Sequence, residues 1–164
     1  MIFVTVGTNE ASFDRLLHAV DALPRREALV VQYGYSAVRP RGATLHEFLT
    51  FDEIVEHAAA ARVVITHAGV GSVTVALTVG KRPIVVPRLH RYGEAVDDHQ
   101  VPFARRLAAS GLVTLVEDPA ELGPALTLDS SLAPSEAAPF PALAADLRSY
   151  IAAAVEARDA ALSA

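Results

Sequence analysis

Short apolar runs alternating with amphipathic stretches set the rhythm of this chain. Ile2 to Val6 is a β-branched run closed by Gly7, the pattern of a strand buried on both faces. From Ser12 to Leu23, Phe13, Leu16, Leu17 and Val20 recur at helical spacing, and Pro24 stops the stretch. Ala28 to Tyr33 reads as a second strand, and a loop through Gly34 and Pro40-Arg41-Gly42 leads to a weaker third at Thr44 to Phe48. Asp52 is placed as the cap of a helix running through Ala61, and Val63 to Thr66 follows as a strand. Ser72 to Val79 is predicted helical with Gly80 as its C-cap, and Pro83 to Pro87 as another buried strand. A helix over Glu94 to Ser110, capped by Gly111, precedes a last strand at Leu112 to Val116 and a short helix from Pro119.

Strand and helix alternate with short connections, so the expected fold is α/β: a doubly wound, Rossmann-like parallel sheet with helices on both faces. The expected organisation is one domain over residues 1–128, a Pro/Ser/Ala linker over 129–141 and an amphipathic C-terminal helix over 142–164. The apolar stripe of that helix, from Leu143 to Leu162, is expected to fold back over the domain's own sheet; docking on a partner is the second reading.

Composition removes whole classes. Fourteen Lys plus Arg against nineteen Asp plus Glu give a net charge of −5, a poor match to a nucleic-acid partner. With no cysteine there is no disulfide framework, thiolate metal site or cysteine nucleophile. The stretch from Val63 to Gly80 lacks Asp, Glu, Lys and Arg, but His67, Gly69, Gly71, Ser72 and three threonines interrupt it. A buried strand, tight turn and buried helix explain it better than a bilayer span. Met1-Ile2-Phe3-Val4-Thr5-Val6-Gly7 contains no basic residue and Glu10 and Asp14 follow it, so no targeting signal is expected and the chain reads as cytoplasmic.

Open α/β sheets bind ligands outside the C-terminal ends of their strands, and three such ends are unusual here. Gly7-Thr8-Asn9 follows the first strand. His67-Ala68-Gly69-Val70-Gly71-Ser72 joins the fourth strand to its helix, offering bare backbone N–H groups and a positive helix end to an anion such as phosphate. His67 is placed to donate to an oxygen of that ligand. The third segment runs from Pro87 through Arg88 and Glu94 to Asp97-Asp98-His99-Gln100, where Asp98 and Gln100 offer a carboxylate and an amide able to read vicinal hydroxyls of a sugar. His90, Asp97, Asp98 and His99 lack metal-ligand spacing, so no metal is expected. A Walker lysine motif and a G-x-S-x-G elbow are both missing.

These residues resemble a known family. THAGVGS at 66–72, GKRPIVVPR at 80–88 and GEAVDDHQ at 93–100, with VTVGT at 4–8, are similar to the C-terminal, donor-binding half of GT-B glycosyltransferases of the family 28 type. The likeness spans Ile2 to Leu115 and extends to stand-alone subunits of that half: the catalytic subunit of the dolichol-linked N-acetylglucosaminyltransferase and bacterial exopolysaccharide and capsule glycosyltransferase subunits. It implies a nucleotide-sugar site in which Gly7, Thr8 and Asn9 lie near the donor phosphates, and His67, Gly69, Gly71 and Ser72 hold the pyrophosphate. Phe51 stands where the family places the nucleobase, Asp98, His99 and Gln100 match the segment that reads the sugar, and Arg88 and Glu94 belong to the bacterial motif. One departure is Val75, where several relatives carry a glutamate for the ribose hydroxyls, so ribose is expected to be read elsewhere.

The resemblance further implies a metal-independent hexosyltransferase taking a UDP-sugar as donor substrate and needing no cofactor. Its acceptor would be lipid-linked or a polysaccharide precursor, held by a membrane-anchored partner subunit, with the pair at the inner face of the membrane. Whether an isolated chain is a monomer or a homodimer is left open by the sequence. The catalytic base is expected outside this chain, with His67, Asp98 and Glu94 as the candidates within it. Two alternatives stand beside this reading: a non-catalytic accessory subunit that activates a glycosyltransferase partner, and a dinucleotide oxidoreductase, disfavoured by the missing third glycine and by strand order.

Overall fold

The computed structural model describes residues 1–24 and 27–128. The expected linker at 129–141 and helix at 142–164 lie outside the described residues. Six strands form one parallel sheet in the order β3-β2-β1-β4-β5-β6. They are β1 (Ile2–Thr5), β2 (Leu29–Gln32), β3 (Thr44–His46), β4 (Val63–Thr66), β5 (Ile84–Val85) and β6 (Thr114–Leu115). The helices are α1 (Asp14–Ala22), α2 (Phe51–Ala60), α3 (Val70–Thr78), α4 (Gln100–Ala109) and the single turn α5 (Leu122–Ala125).

The alternation of side chains along β1 divides the core. Ile2 and Val4 face Leu16, Leu17 and Val20 of α1 together with Leu122 of α5. Phe3 faces the other way, onto Ala58 of α2 and Val75 and Ala76 of α3. Val85 and α4 extend that second face through Leu77, Ala104 and Val113. Each of the three central strands β1, β2 and β4 is buried along its whole length, as continuous apolar runs require.

Several boundaries differ from the expected ones, for local reasons. The cap of α2 is Thr50 rather than Asp52: its hydroxyl accepts from the Glu53 N–H at 3.3 Å, and the Glu53 carboxylate accepts from the Thr50 N–H at 2.7 Å. Helix α3 begins at Val70, so Gly71 belongs to its first turn instead of preceding it. Helix α4 begins at Gln100 and not at Glu94. Side chains in the intervening segment bond backbone and arginine partners across the loop, leaving residues 93–99 outside any helix. Strand β5 is two residues long because prolines flank Ile84-Val85-Val86 and remove ladder donors.

The strand order is that of dinucleotide-binding sheets, contrary to the expectation that strand order would count against such chemistry. The glycine pattern still differs: the turn after β1 reads Gly7-Thr8-Asn9-Glu10-Ala11-Ser12, and the paired glycines follow β4.

Candidate functional site at the carboxyl edge of the sheet

Strands β1 and β4 are neighbours, yet the chain leaves β1 toward β2 and leaves β4 toward β5. Diverging connections open a crevice outside the carboxyl ends of these two strands. Gly7 and His67 stand at its mouth. The His67 ring fits there because both neighbours lack side chains. A Cβ on Gly7 would lie 2.4 Å from His67 Cε1, and one on Gly69 would lie 2.1 Å from Nε2. Gly7 also has φ +76°, a left-handed conformation that costs other residues more. The two glycines thus form a slot for an imidazole, a role the sequence reading had not separated from phosphate contact.

Burial pushes the His67 pKa down to about 4, and the positive charge of Arg88 acts in the same direction, against a hydrogen bond to the backbone at Thr5. The imidazole is therefore neutral near pH 7, with one N–H and one lone pair. Thr66 Oγ1 lies 3.4 Å from its Nδ1.

Beside the ring, α3 starts at Gly69 with no side-chain cap, leaving the first-turn N–H groups of Val70, Gly71 and Ser72 without a side-chain partner. No heavy atom comes within 4 Å of where a Gly71 Cβ would stand, so this turn is open. Uncapped amides at the positive end of a helix are a ready site for an anion.

Beneath the mouth runs a row of buried polar side chains that the sequence reading missed. Thr5 pairs in register with Gln32 on one side and Thr66 on the other, and all three are at most 2% exposed. The Thr5 hydroxyl donates to Gln32 Oε1 and accepts from the Gly7 N–H at 3.2 Å. The turn that walls His67 is thereby tied to two strands. Gln32 Nε2 has no partner among the described residues. The available signal was a polar residue at or next to the end of each of three otherwise apolar runs.

The segment after β5 proves to be two things. Arg88 and Glu94 are structural. Arg88 is fully buried, and its guanidinium donates to the carbonyls of Val6, Ala11, Ser12 and Glu94 at 2.9–3.1 Å while lying 4.6 Å from the Phe13 ring centre. Burial lowers its pKa to about 10, partly offset by Glu94, so it stays cationic near neutral pH. Glu94 is taken in a two-point grip by Arg15, with Nε and Nη2 each 2.9 Å from a carboxylate oxygen, and also accepts from the Leu89 N–H at 3.0 Å. Arg15 is a further residue missed in the sequence, since its partner lies on another element.

The rest of the segment is mostly exposed. Asp98 is exposed and accepts from the His90 N–H at 2.7 Å. Asp97 accepts from the His99 N–H at 3.0 Å and contacts the His99 ring. Gln100 is 7% exposed, and its Oε1 accepts from the Arg88 N–H at 3.1 Å. Thr8 and Asn9 are exposed on the lip, with Asn9 Oδ1 accepting from the Ala11 N–H at 2.8 Å. Phe51 opens α2 and packs in the same cluster as Val75, which is 6% exposed. Where a glutamate was expected in relatives, this chain has core.

Among the described residues, no three His, Asp or Glu side chains gather as a metal ion would require, and no helix is long and apolar enough to cross a membrane.

A parallel doubly wound sheet with an open anion turn after its fourth strand is the architecture of the C-terminal half of GT-B glycosyltransferases. Three solved structures share the fold. The calicheamicin glycosyltransferase CalG4 superposes with a TM-score of 0.59 at 18% identity, covering 95% of this chain and 42% of that one. The glycotransferase of kitacinnamycin gives 0.55 at 20% identity, covering 96% and 43%. MurG of Acinetobacter baumannii gives 0.52 at 23% identity, covering 77% and 41%. This chain therefore spans about two fifths of the length of each. No curated protein matches it. The model of the glycosyltransferase family 28 C-terminal domain matches residues 1–142, and the chain belongs to that family.

Proposed function

We propose that the crevice binds the diphosphate of a UDP-sugar and that this chain is the donor-binding part of a metal-independent hexosyltransferase. The observation that carries the reading is the uncapped α3 N-terminus beside a neutral His67 held between two glycines at the switch point of the sheet. In the transfer, an acceptor hydroxyl oxygen bonds to the anomeric carbon and the bond from that carbon to the phosphate oxygen breaks. The electron pair leaves on the diphosphate, and the hydroxyl proton goes to a base. The α3 amides and helix dipole meet the charge that develops on the diphosphate, the role a metal ion has elsewhere. Asp98, His99 and Gln100 read the sugar, Phe51 flanks the base, and Thr8 and Asn9 close over the phosphates.

The base is supplied from outside the described residues. Support comes from the carboxylates here: Glu94 is gripped by Arg15, and Asp98 is engaged by the His90 N–H. A separate, membrane-anchored partner holding a lipid-linked or polysaccharide-precursor acceptor fits that division of labour. It places the pair at the cytoplasmic face of the membrane.

Calorimetric titration with UDP, several UDP-sugars and NADH, at modest salt and without metal, tests the reading. Saturable binding of a UDP-sugar that disappears in Gly69→Ala is expected. A response to NADH with none to any UDP-sugar overturns it.

A further inference from the structure

The segment from Arg88 to His99 contains only the 3-10 turn His90–Tyr92 as regular structure, yet together with Gln100, the first residue of α4, it carries every side chain assigned to the sugar. Something else must hold it. Three of its bonds are internal or nearly so: Gln100 Oε1 to the Arg88 N–H, Asp98 to the His90 N–H, and Glu94 to the Leu89 N–H. These give the loop a shape but do not fix it to the sheet.

The anchor to the rest of the fold is Arg15, on the first turn of α1. Besides gripping Glu94, its Nη2 donates to the Pro87 carbonyl at 2.9 Å and its Nη1 to the Glu117 carbonyl at 3.4 Å. Its guanidinium also lies 5.1 Å from the ring centre of Tyr92, in the middle of the loop. One planar group thus ties α1 to the start and the middle of the loop after β5 and to the chain after β6. Glu94 is only 5% exposed at its side chain, so no water can replace the fork. Arg88 adds a second tie, from Glu94 O to the loop after β1.

We propose that Arg15 is a positioning residue for the donor sugar, acting through Glu94 to set the height of Asp98, His99 and Gln100 over the crevice. The proposal rests on the donor-site reading above. Arg15 bonds Glu94 and the carbonyls of Pro87 and Glu117, none of which is assigned to the diphosphate. Its loss therefore affects the sugar and spares the nucleotide.

The test compares wild type, Arg15→Gln and Arg15→Lys in two measurements. Hydrogen exchange on the free proteins shows whether the loop is held. In Arg15→Gln, exchange is expected to rise over residues 88–100 and to stay unchanged over β1, β4 and 66–73. Titration with UDP and with the UDP-sugar that wild type binds best reads the consequence. The preference for the UDP-sugar over UDP is expected to fall about tenfold or more, with UDP affinity itself retained. Arg15→Lys keeps the charge without the fork and is expected to restore little.

Equal weakening of UDP and UDP-sugar overturns the proposal, because a merely structural role predicts it. Unchanged exchange over residues 88–100 overturns it also. If wild type binds no UDP-sugar, the donor reading falls and takes the sugar role with it. The exchange data then still decide whether Arg15 holds the loop, so the two failures are told apart.

Discussion

The imidazole of His67 occupies the space that a side chain on Gly69 would need: a Cβ there would stand 2.1 Å from Nε2. Gly69→Ala must push the ring out of the crevice or shift the start of α3. The expected cost is about 1–3 kcal/mol of stability, the range for overpacking a tight site. UDP-sugar affinity is expected to fall below detection. Denaturant unfolding and calorimetry check the two effects separately; wild-type affinity in Gly69→Ala would show that the slot has no part in binding.

His67 makes stability depend on pH. Its folded pKa of about 4 lies below the ordinary 6.5, so as pH falls the unfolded chain takes up the proton first. Its contribution is intact above pH 6.5 and is lost between 6.5 and 4, by an amount on the order of 3 kcal/mol. Glu27 acts lower: Arg62 and the N-terminal amine hold its pKa at about 2, against an ordinary 4.5, so its contribution fades between those values. Urea midpoints measured from pH 7 to 4.5 should fall steeply for wild type and much less for His67→Gln.

Bound diphosphate would place negative charge against the same ring and favour its protonated form. UDP-sugar affinity is therefore expected to rise as pH drops from 7 toward 5, since both phosphates of a UDP-sugar keep their charge over that range. His67→Gln should lose this slope. A flat profile in wild type would separate His67 from the phosphates.

Arg88 is predicted to matter for folding more than for contact with ligand. Arg88→Met removes four hydrogen bonds, three from Nη1 and one from Nη2, to buried or half-buried carbonyls while keeping apolar bulk. The loss is expected to be about 3 kcal/mol or more, read from thermal or urea unfolding. Arg88→Lys should recover only part, because an ammonium cannot span four carbonyls set in the plane of a guanidinium.

Thr50→Ala offers a contrast at the start of α2, outside the turn proposed to hold the diphosphate. It removes one half of the α2 capping box and should cost about 1 kcal/mol. UDP-sugar binding is expected to stay at the wild-type value. A large binding loss would mean that the start of α2, and with it Phe51, is set by this cap.

The sequence by itself determined the layering of this protein and singled out the strand ends where the donor is proposed to bind. Continuous runs such as Ile2–Val6 and Val63–Thr66 can be satisfied only by strands covered on both faces, and the glycine turn after Thr66 can only open a helix. Gly7, His67, Gly69, Gly71 and Ser72 stand out as candidates for that reason: each follows closely on a strand end in the chain. Tertiary structure decided what periodicity cannot carry. The grip of Arg15 on Glu94 spans 79 positions, and the bond from Thr5 to Gln32 spans 27. Glu94 reads as the first turn of a helix in sequence, but its charge is buried and must find a cation, so the helix starts at Gln100 instead. Arg88 reads as a ligand contact and becomes a knot among carbonyls, because only the folded chain brings Val6, Ala11, Ser12 and Glu94 around one side chain.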